Sequence, residues 1–120
     1  MLRGVKTKII KNMRQSKNVK VVVFVPESHT DIIREVIGKS GAGKIGNYAY
    51  CSFSSQGVGR FIPNDGAHPT IGQVGKLESV QEERIEFICD RNLVENIVAE
   101  IKKVHPYEEV AFDLYSLEEL

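Results

Sequence analysis

The hydrophobic positions in the first half of the chain predict one strand followed by one helix. Residues 19–25, VKVVVFV, are nearly all apolar and β-branched, which is typical of a central strand buried on both faces. Ser28 with Asp31 resembles a capping box at the start of the helix. Gly38 or Gly41 can end that helix in a left-handed conformation. The apolar positions that recur at helical spacing are Ile32, Ile33, Val36 and Ile37.

The second half of the chain predicts a strand, a helix and a strand. One alternating strand covers residues 84–89 and another covers residues 110–115. Asp90 can cap the helix between them, and Pro106 closes it. The predicted inward positions are Ile85, Phe87 and Cys89 on the first strand, Leu93, Ile97, Ile101 and Val104 on the helix, and Val110, Phe112 and Leu114 on the second strand.

Glycine-rich, β-like segments connect these two units, and residues 63–66, PNDG, have the chemistry of a turn. The order of elements predicts an α+β fold of the ferredoxin-like βαββαβ type, with an extra central β-hairpin. Both helices of such a fold cover the same face of the sheet. The other face must also be hidden, and in a small single-sheet protein this usually happens by oligomerisation.

Charge is balanced over the whole chain but unevenly placed along it. Six of the 16 Lys and Arg residues lie in residues 1–18, which contain no acid. Residues 19–120 therefore hold ten basic against 16 acidic side chains, which argues against nucleic-acid binding by this part. We divide the chain into a basic N-terminal extension, residues 1–18, and a single domain, residues 19–120.

Three interpretations of the extension stay open. The simplest, which we favour, is a poorly ordered tail. A second is that the true start is Met13. A third is a basic amphipathic helix that touches acidic surfaces, lipid or nucleic acid, with Leu2, Val5, Ile9 and Met13 near one face.

The apolar runs and the two cysteines indicate a cytoplasmic protein. No apolar run is long enough for a membrane span, and no signal peptide is recognisable behind the basic start. Cys51 and Cys89 both lie in strand-like runs, so we expect reduced, buried thiols. These two residues alone do not make a zinc site, because zinc needs at least three protein ligands.

Residues 38–45, GKSGAGKI, nearly match the phosphate-binding P-loop pattern but have the wrong context. A P-loop places its Gly-Lys pair between a strand and a helix, so that helix amides point at the anion. Here the segment follows a helix and precedes strands, and Ile45 replaces the hydroxyl residue that would hold magnesium. We expect a helix cap and a flexible loop, whose glycine amides and Lys44 could still bind some anion.

The most polar candidate site lies in residues 105–109, HPYEE, where the second helix meets the last strand. The βαββαβ topology brings this segment beside the end of the first strand, so His29 and His105 meet at one sheet edge. Two imidazoles and a carboxylate can bind zinc or copper. The alternative is structural, because a histidine is favoured at a helix C-terminus and Pro106 stops the helix. We expect His68 to be structural or an intersubunit contact, and no nucleophile–base arrangement is visible.

Several motifs together resemble a known domain. VPESH, GAGKIGNYAYCSFSSQGVGRFIP, GAHPTIGQVGKLESVQEERIE and HPYEEVAFDLY are similar, in this order, to the domain inserted into bacterial YqfO-type members of the Nif-three-like family. This resemblance covers about residues 19–117 and implies a fold like that of PII signalling proteins and CutA and, by analogy, a homotrimer. The residues that match the family pattern are His29, Gly43, Gly46, Tyr48, His105, Tyr107 and Glu108. Residues 1–18 depart from the pattern, because standalone members begin close to the first strand.

The resemblance does not carry over the enzymatic label of the larger family, GTP cyclohydrolase type 2-like. The two-metal centre of that family belongs to flanking halves that this sequence lacks. We therefore expect a non-catalytic, trimeric binding or regulatory module that holds a metal ion or a small anionic ligand near subunit boundaries. The expected ligand-binding residues are Gly43, Lys44, Gly46, Tyr48 and Tyr107, and the expected metal ligands, for zinc or copper, are His29, His105 and Glu108.

Two alternatives stay open. One is a small metal-dependent hydrolase that works through His29, His105 and Glu108, with Glu27 or Glu109 as a further ligand or base. The other is a partner subunit that docks on a separate Nif-three-like protein.

Overall fold

The computed structural model describes residues 12–120. The elements run β1 Arg14–Pro26, α1 Thr30–Lys39, β2 Phe53–Phe61, β3 Glu78–Asp90, α2 Val94–Val104 and β4 Phe112–Glu119, with 3-10 turns at Glu27–His29 and Arg91–Leu93. None of the helices in this part of the chain is long and apolar enough to cross a membrane.

The four strands form one antiparallel sheet in the order β2-β3-β1-β4. This is the predicted ferredoxin-like βαββαβ arrangement, and it is confirmed. β1 lies in the centre because its β-branched run suits a strand with neighbours on both sides. Val21 pairs with Phe87 of β3 on one side and with Leu114 of β4 on the other.

The hydrophobic core lies between the helices and one face of the sheet. Alternate residues of β1 and β3 point into it, as the period of two requires. The core residues that are fully enclosed include Val21, Val23 and Ile85 from the strands and Ile33 and Ile97 from the helices. The helical stripes predicted from the sequence are buried only in part, because Ile32 and Leu93 are exposed. The buried members are Ile33, Ile37, Ile97 and Ile101.

β1 begins at Arg14, ahead of the predicted Val19. Arg14 pairs with Glu119 of β4, and Ser16 is buried. Residues 14–18, which the sequence assigned to the extension, are thus the start of the central strand. Residues 1–11, and with them the interpretations of the extension at Leu2, Val5 and Ile9, lie outside the described residues.

The prediction of an extra central hairpin is wrong, because the described residues between β2 and β3 contain no strand. Residues 62–77 are a loop of turns between β2 and β3. Gly66, Gly72 and Gly75 have positive φ, and Pro63 and Pro69 lack an N–H, so this segment cannot sustain a strand ladder.

Three predictions about element ends have different outcomes. The capping box is wrong, because a 3-10 turn precedes α1 and Ser28 Oγ bonds instead to His29 Nδ1, at 2.7 Å. Asp90 caps the 3-10 turn that leads into α2 and not α2 itself, since its Oδ1 accepts from the Asn92 N–H at 2.9 Å. Gly41 has φ +89° and ends α1 as predicted, because the next N–H donates to the Ile37 carbonyl at 3.3 Å.

Candidate functional site

His105 fixes the connection between α2 and β4, residues 105–111, against the end of β1. The residue is 7% exposed. The Tyr107 N–H donates to Nδ1 at 3.1 Å, so Nε2 carries the proton and donates to the Phe24 carbonyl at 2.8 Å. Burial lowers the pKa of His105, while the hydrogen bond to Phe24 acts in the opposite direction. The imidazole is therefore held in one neutral tautomer.

The loop of residues 62–77 is fastened to this connection by two short hydrogen bonds. The His68 N–H donates to Glu108 Oε1 at 2.7 Å, and Thr70 Oγ1 donates to the Pro106 carbonyl at 2.7 Å. The loop also closes on itself, since the Gly75 N–H donates to the Pro63 carbonyl at 2.7 Å. These contacts tie the loop to the connection between α2 and β4, although most residues of the loop remain exposed.

Between the loop and the connection lies a cavity of about 540 Å³, which we call the Tyr107 cavity. Its walls are largely apolar and include Phe24, Phe61 and Ile71. The rings of Phe61 and Tyr107 meet edge to face, with centroids 6.2 Å apart, and the rings of His105 and Tyr107 do the same at 5.1 Å. Apolar cavities of this size with a few convergent polar groups are typical of small-molecule sites.

Two polar groups meet in this cavity. The Tyr107 hydroxyl is buried and lies beside the Glu82 carboxylate, but it makes no hydrogen bond of regular geometry within the described part of the chain. Burial, together with the neighbouring Glu82 carboxylate, raises the pKa of Tyr107 to about 12. Glu82 comes from β3 and lies over Gly59, where any Cβ would collide with its carboxylate. A small residue at position 59 is thus needed for the carboxylate to reach this place.

The predicted metal ligands do not form a preformed centre. Both ring nitrogens of His105 are engaged within the chain, and Glu108 accepts from His68. His29 lies near enough for its charge to act on His105, but its Nδ1 bonds to Ser28. Over residues 12–120, no group of three His, Cys, Asp or Glu side chains is arranged to hold a metal ion.

The predicted ligand loop lies elsewhere in the fold. It follows α1 and precedes β2, as the sequence predicts. The Gly43 N–H donates to the Ile88 carbonyl at 2.7 Å, which removes it as an anion donor. Ile45 and Tyr48 exchange two hydrogen bonds around a tight turn that begins at Gly46. Of the five predicted ligand-binding residues only Tyr107 lines the cavity, while Gly43, Lys44, Gly46 and Tyr48 do not.

Sequence reasoning missed Glu82, Phe61 and the loop of residues 62–77. The strand pattern of β3 placed Glu82 on the face away from the core, where a carboxylate is ordinary. Two local features of the sequence could have indicated this region. They are Gly59 and the Pro- and Gly-rich run after β2, which are both unusual in a simple hairpin.

Comparison with solved structures first defines the class of the fold. The CutA protein of Pyrococcus horikoshii superposes with a TM-score of 0.64 at 15% identity, over 85% of this chain and 86% of that chain. A Bacillus cereus protein related to NIF3 superposes with a TM-score of 0.75 at 42% identity, over 88% of this chain and 29% of that chain. The fold is therefore of the CutA/PII-like type.

Sequence comparison then identifies the domain. The chain is 53% identical over 98 residues to the GTP cyclohydrolase 1 type 2 homolog of Halalkalibacterium halodurans, which covers 82% of this chain and 26% of that protein. The chain is similar to a domain of NIF3-like proteins and resembles PII and CutA in fold, as its motifs indicate. It spans about a quarter of the length of the curated relatives it matches. No family model matches the chain.

Proposed function

We propose that the domain is a non-catalytic binding or regulatory module of the PII/CutA type that works as a homotrimer and holds a small molecule in the Tyr107 cavity. The observation that carries this proposal is the cavity itself. It has about 540 Å³ of space, apolar walls and, beside Glu82, a buried hydroxyl that makes no hydrogen bond of regular geometry within residues 12–120. A buried polar group without a hydrogen bond is costly, by about 1–3 kcal/mol, and a ligand atom that pairs with it removes this cost.

Exposed apolar side chains support the homotrimer. Tyr48 is 74% and Phe53 66% exposed, and Ile45 and Tyr50 near them are also exposed. β2 and β4 are outer strands with free edges, and the sheet face opposite the helices has no covering element within the described residues. Association of three chains would cover these surfaces.

Cys51 and Cys89 are free thiols, which suits the cytoplasmic location that we also propose.

Metal binding by His29, His105 and Glu108 stays a prediction. It requires the His105 ring to give up its bond to Phe24 or Tyr107, and Glu108 to give up its bond to His68. A metal-dependent hydrolase has the same requirement and in addition needs an open coordination position and a base.

The second candidate function is a partner subunit for a separate NIF3-like protein. The observation that favours it is coverage, because curated relatives are about four times as long as the segment of about 100 residues that matches this chain. The exposed Tyr48 and Phe53 would then contact the partner instead of a second copy of this chain.

A screen of small molecules by amide NMR tests the main proposal. Molecules that bind should shift the amides of residues 62–71 and 107–111. Ala111 lines the cavity and is exposed, so Ala111→Trp should fill the space and abolish the shifts without unfolding the chain. Asn96→Trp, on an exposed face of α2, is the matched control and should bind normally. Shifts confined to residues 43–48, or binding that survives Ala111→Trp, would contradict the proposal.

A further inference from the structure

Among the charged residues that line the Tyr107 cavity, the negative ones predominate. Four carboxylates, from Asp65, Glu82, Glu108 and Glu109, lie around it, with one guanidinium, that of Arg60. The formal charge of the lining is therefore −3, one positive group against four negative groups. A cavity with apolar walls concentrates such a field, which attracts cations and repels anions.

Glu82 lacks a cation partner within the described residues, unlike Glu83 and Glu86 on the same strand. Glu83 pairs with Arg34 at 2.9 Å, and Glu86 pairs with Lys20 at 3.8 Å and Arg84 at 3.6 Å. No Lys, Arg or His of residues 12–120 forms an ion pair with Glu82, although this side chain is partly buried. A partly buried carboxylate is normally paired, so the site has room for a positive group from outside the chain.

The groups around Glu82 suit an ammonium better than a bare metal ion. The Tyr107 hydroxyl lies beside Glu82 and is buried, so a ligand must open the wall at this point before the hydroxyl can accept a hydrogen bond. Phe24 and Phe61 offer aromatic faces and edges in the same wall, and cations are attracted to such rings. Beyond them the apolar wall, with Ile62 and Ile71, requires an apolar body on the ligand.

From this arrangement we infer that the Tyr107 cavity binds a small organic amine, whose ammonium group lies at Glu82 and Tyr107 and whose apolar body lies along Phe24, Phe61 and Ile71. This inference rests on the proposed function, because it names the ligand class of the same cavity. It differs from the anionic ligand expected from the sequence, which was assigned to the loop at Lys44.

Three probes of nearly equal shape separate charge from shape. They are 2-(1-naphthyl)ethylamine, the corresponding alcohol 2-(1-naphthyl)ethanol, and 1-naphthylacetate. Titration near pH 7, followed by the amide shifts of residues 107–111, should show the amine binding at least about tenfold more tightly than the alcohol, and the acid binding most weakly. In Glu82→Gln the amine should lose this advantage while the alcohol binds as before.

Glu95→Gln is the matched control, because Glu95 is exposed on α2 and does not line the cavity. It should leave all three affinities unchanged. A thermal melt of each variant shows whether it is folded.

If Glu82→Gln fails to fold, Tyr107→Phe provides the second test and should weaken the amine more than the alcohol. Equal binding of amine and alcohol would overturn the amine assignment and leave the proposed binding function standing. If none of the three probes binds while other small molecules still shift the amides, the amine assignment is overturned. If no molecule in the whole screen binds, the proposed function is overturned as well.

Discussion

Gly43 and Gly46 both have positive φ, but only Gly43 is also enclosed. Their φ values are +71° and +56°, and a Cβ at Gly43 would lie 2.5 Å from the Cys51 carbonyl oxygen, whereas one at Gly46 would meet nothing within 4 Å. We expect Gly46→Ala to lower the free energy of unfolding by about 1–2 kcal/mol, the cost of a left-handed residue. Gly43→Ala should cost more, because the backbone at Cys51 must also move. Urea denaturation measures both, and equal costs would contradict this account of Gly43.

His105 makes stability depend on pH. Its pKa is lowered by burial, so between the lowered value and the ordinary value of about 6.5 the unfolded chain binds a proton that the folded chain does not. The neutral ring thus contributes fully above about pH 6.5, and this contribution is lost as the pH falls towards the lowered pKa. Glu82 opposes the shift and His29 adds to it.

We expect the melting temperature to fall between about pH 7.5 and about pH 5.5, measured with a chelator present. His105→Gln should lower stability at the higher pH and flatten this dependence. His68→Gln, in the exposed loop, is the matched control and should keep the slope of the parent. The same slope in His105→Gln and the parent would show that another group is responsible.

Among the elements, β4 differs most from its predicted role. The alternation of residues 110–115 placed Leu114 beside Phe112 in the core, and the two do lie on one sheet face, but Leu114 is 51% exposed. β4 is an outer strand, and only its first residue, Phe112, packs against the core. Periodicity identifies the face of a strand and not whether a helix reaches across it.

This difference gives a paired prediction. Ile85→Ala removes a fully enclosed side chain and should lower the free energy of unfolding by about 2–5 kcal/mol. Leu114→Ala should cost less than about 1 kcal/mol in the isolated chain, since its side chain is half exposed. Urea denaturation at several protein concentrations separates the two cases. A cost at Leu114 that rises with concentration would mean that β4 is covered by another chain, and a cost equal to that of Ile85 at every concentration would contradict the observed exposure.

The sequence predicted the helices and the sheet because their signals are local. Period-two and helical spacing need only neighbouring residues, and Asp90 and Gly41 end or begin elements through contacts within a few positions. The cavity depends on contacts that no local pattern encodes. Glu108 meets His68 at a separation of 40 residues, and Glu82 reaches Tyr107 from β3. Such pairs follow from how the loop of residues 62–77 folds back over the sheet.

At the scale of the whole molecule, two features have no evident role in a single chain. The first is the apolar surface around Tyr48 and Phe53, and the second is the Tyr107 cavity. A trimer that holds a small molecule accounts for both. The partner-subunit alternative accounts for the first surface and does not require the second.

A native mass spectrum of the protein, purified without added metal or ligand, tests the trimeric binding module most directly, because it reports assembly and bound molecules together. We predict a mass of three chains, with additional mass from a small molecule that is lost in Ala111→Trp and retained in Asn96→Trp. A single chain at micromolar concentration, with no bound molecule in the parent, would contradict the account.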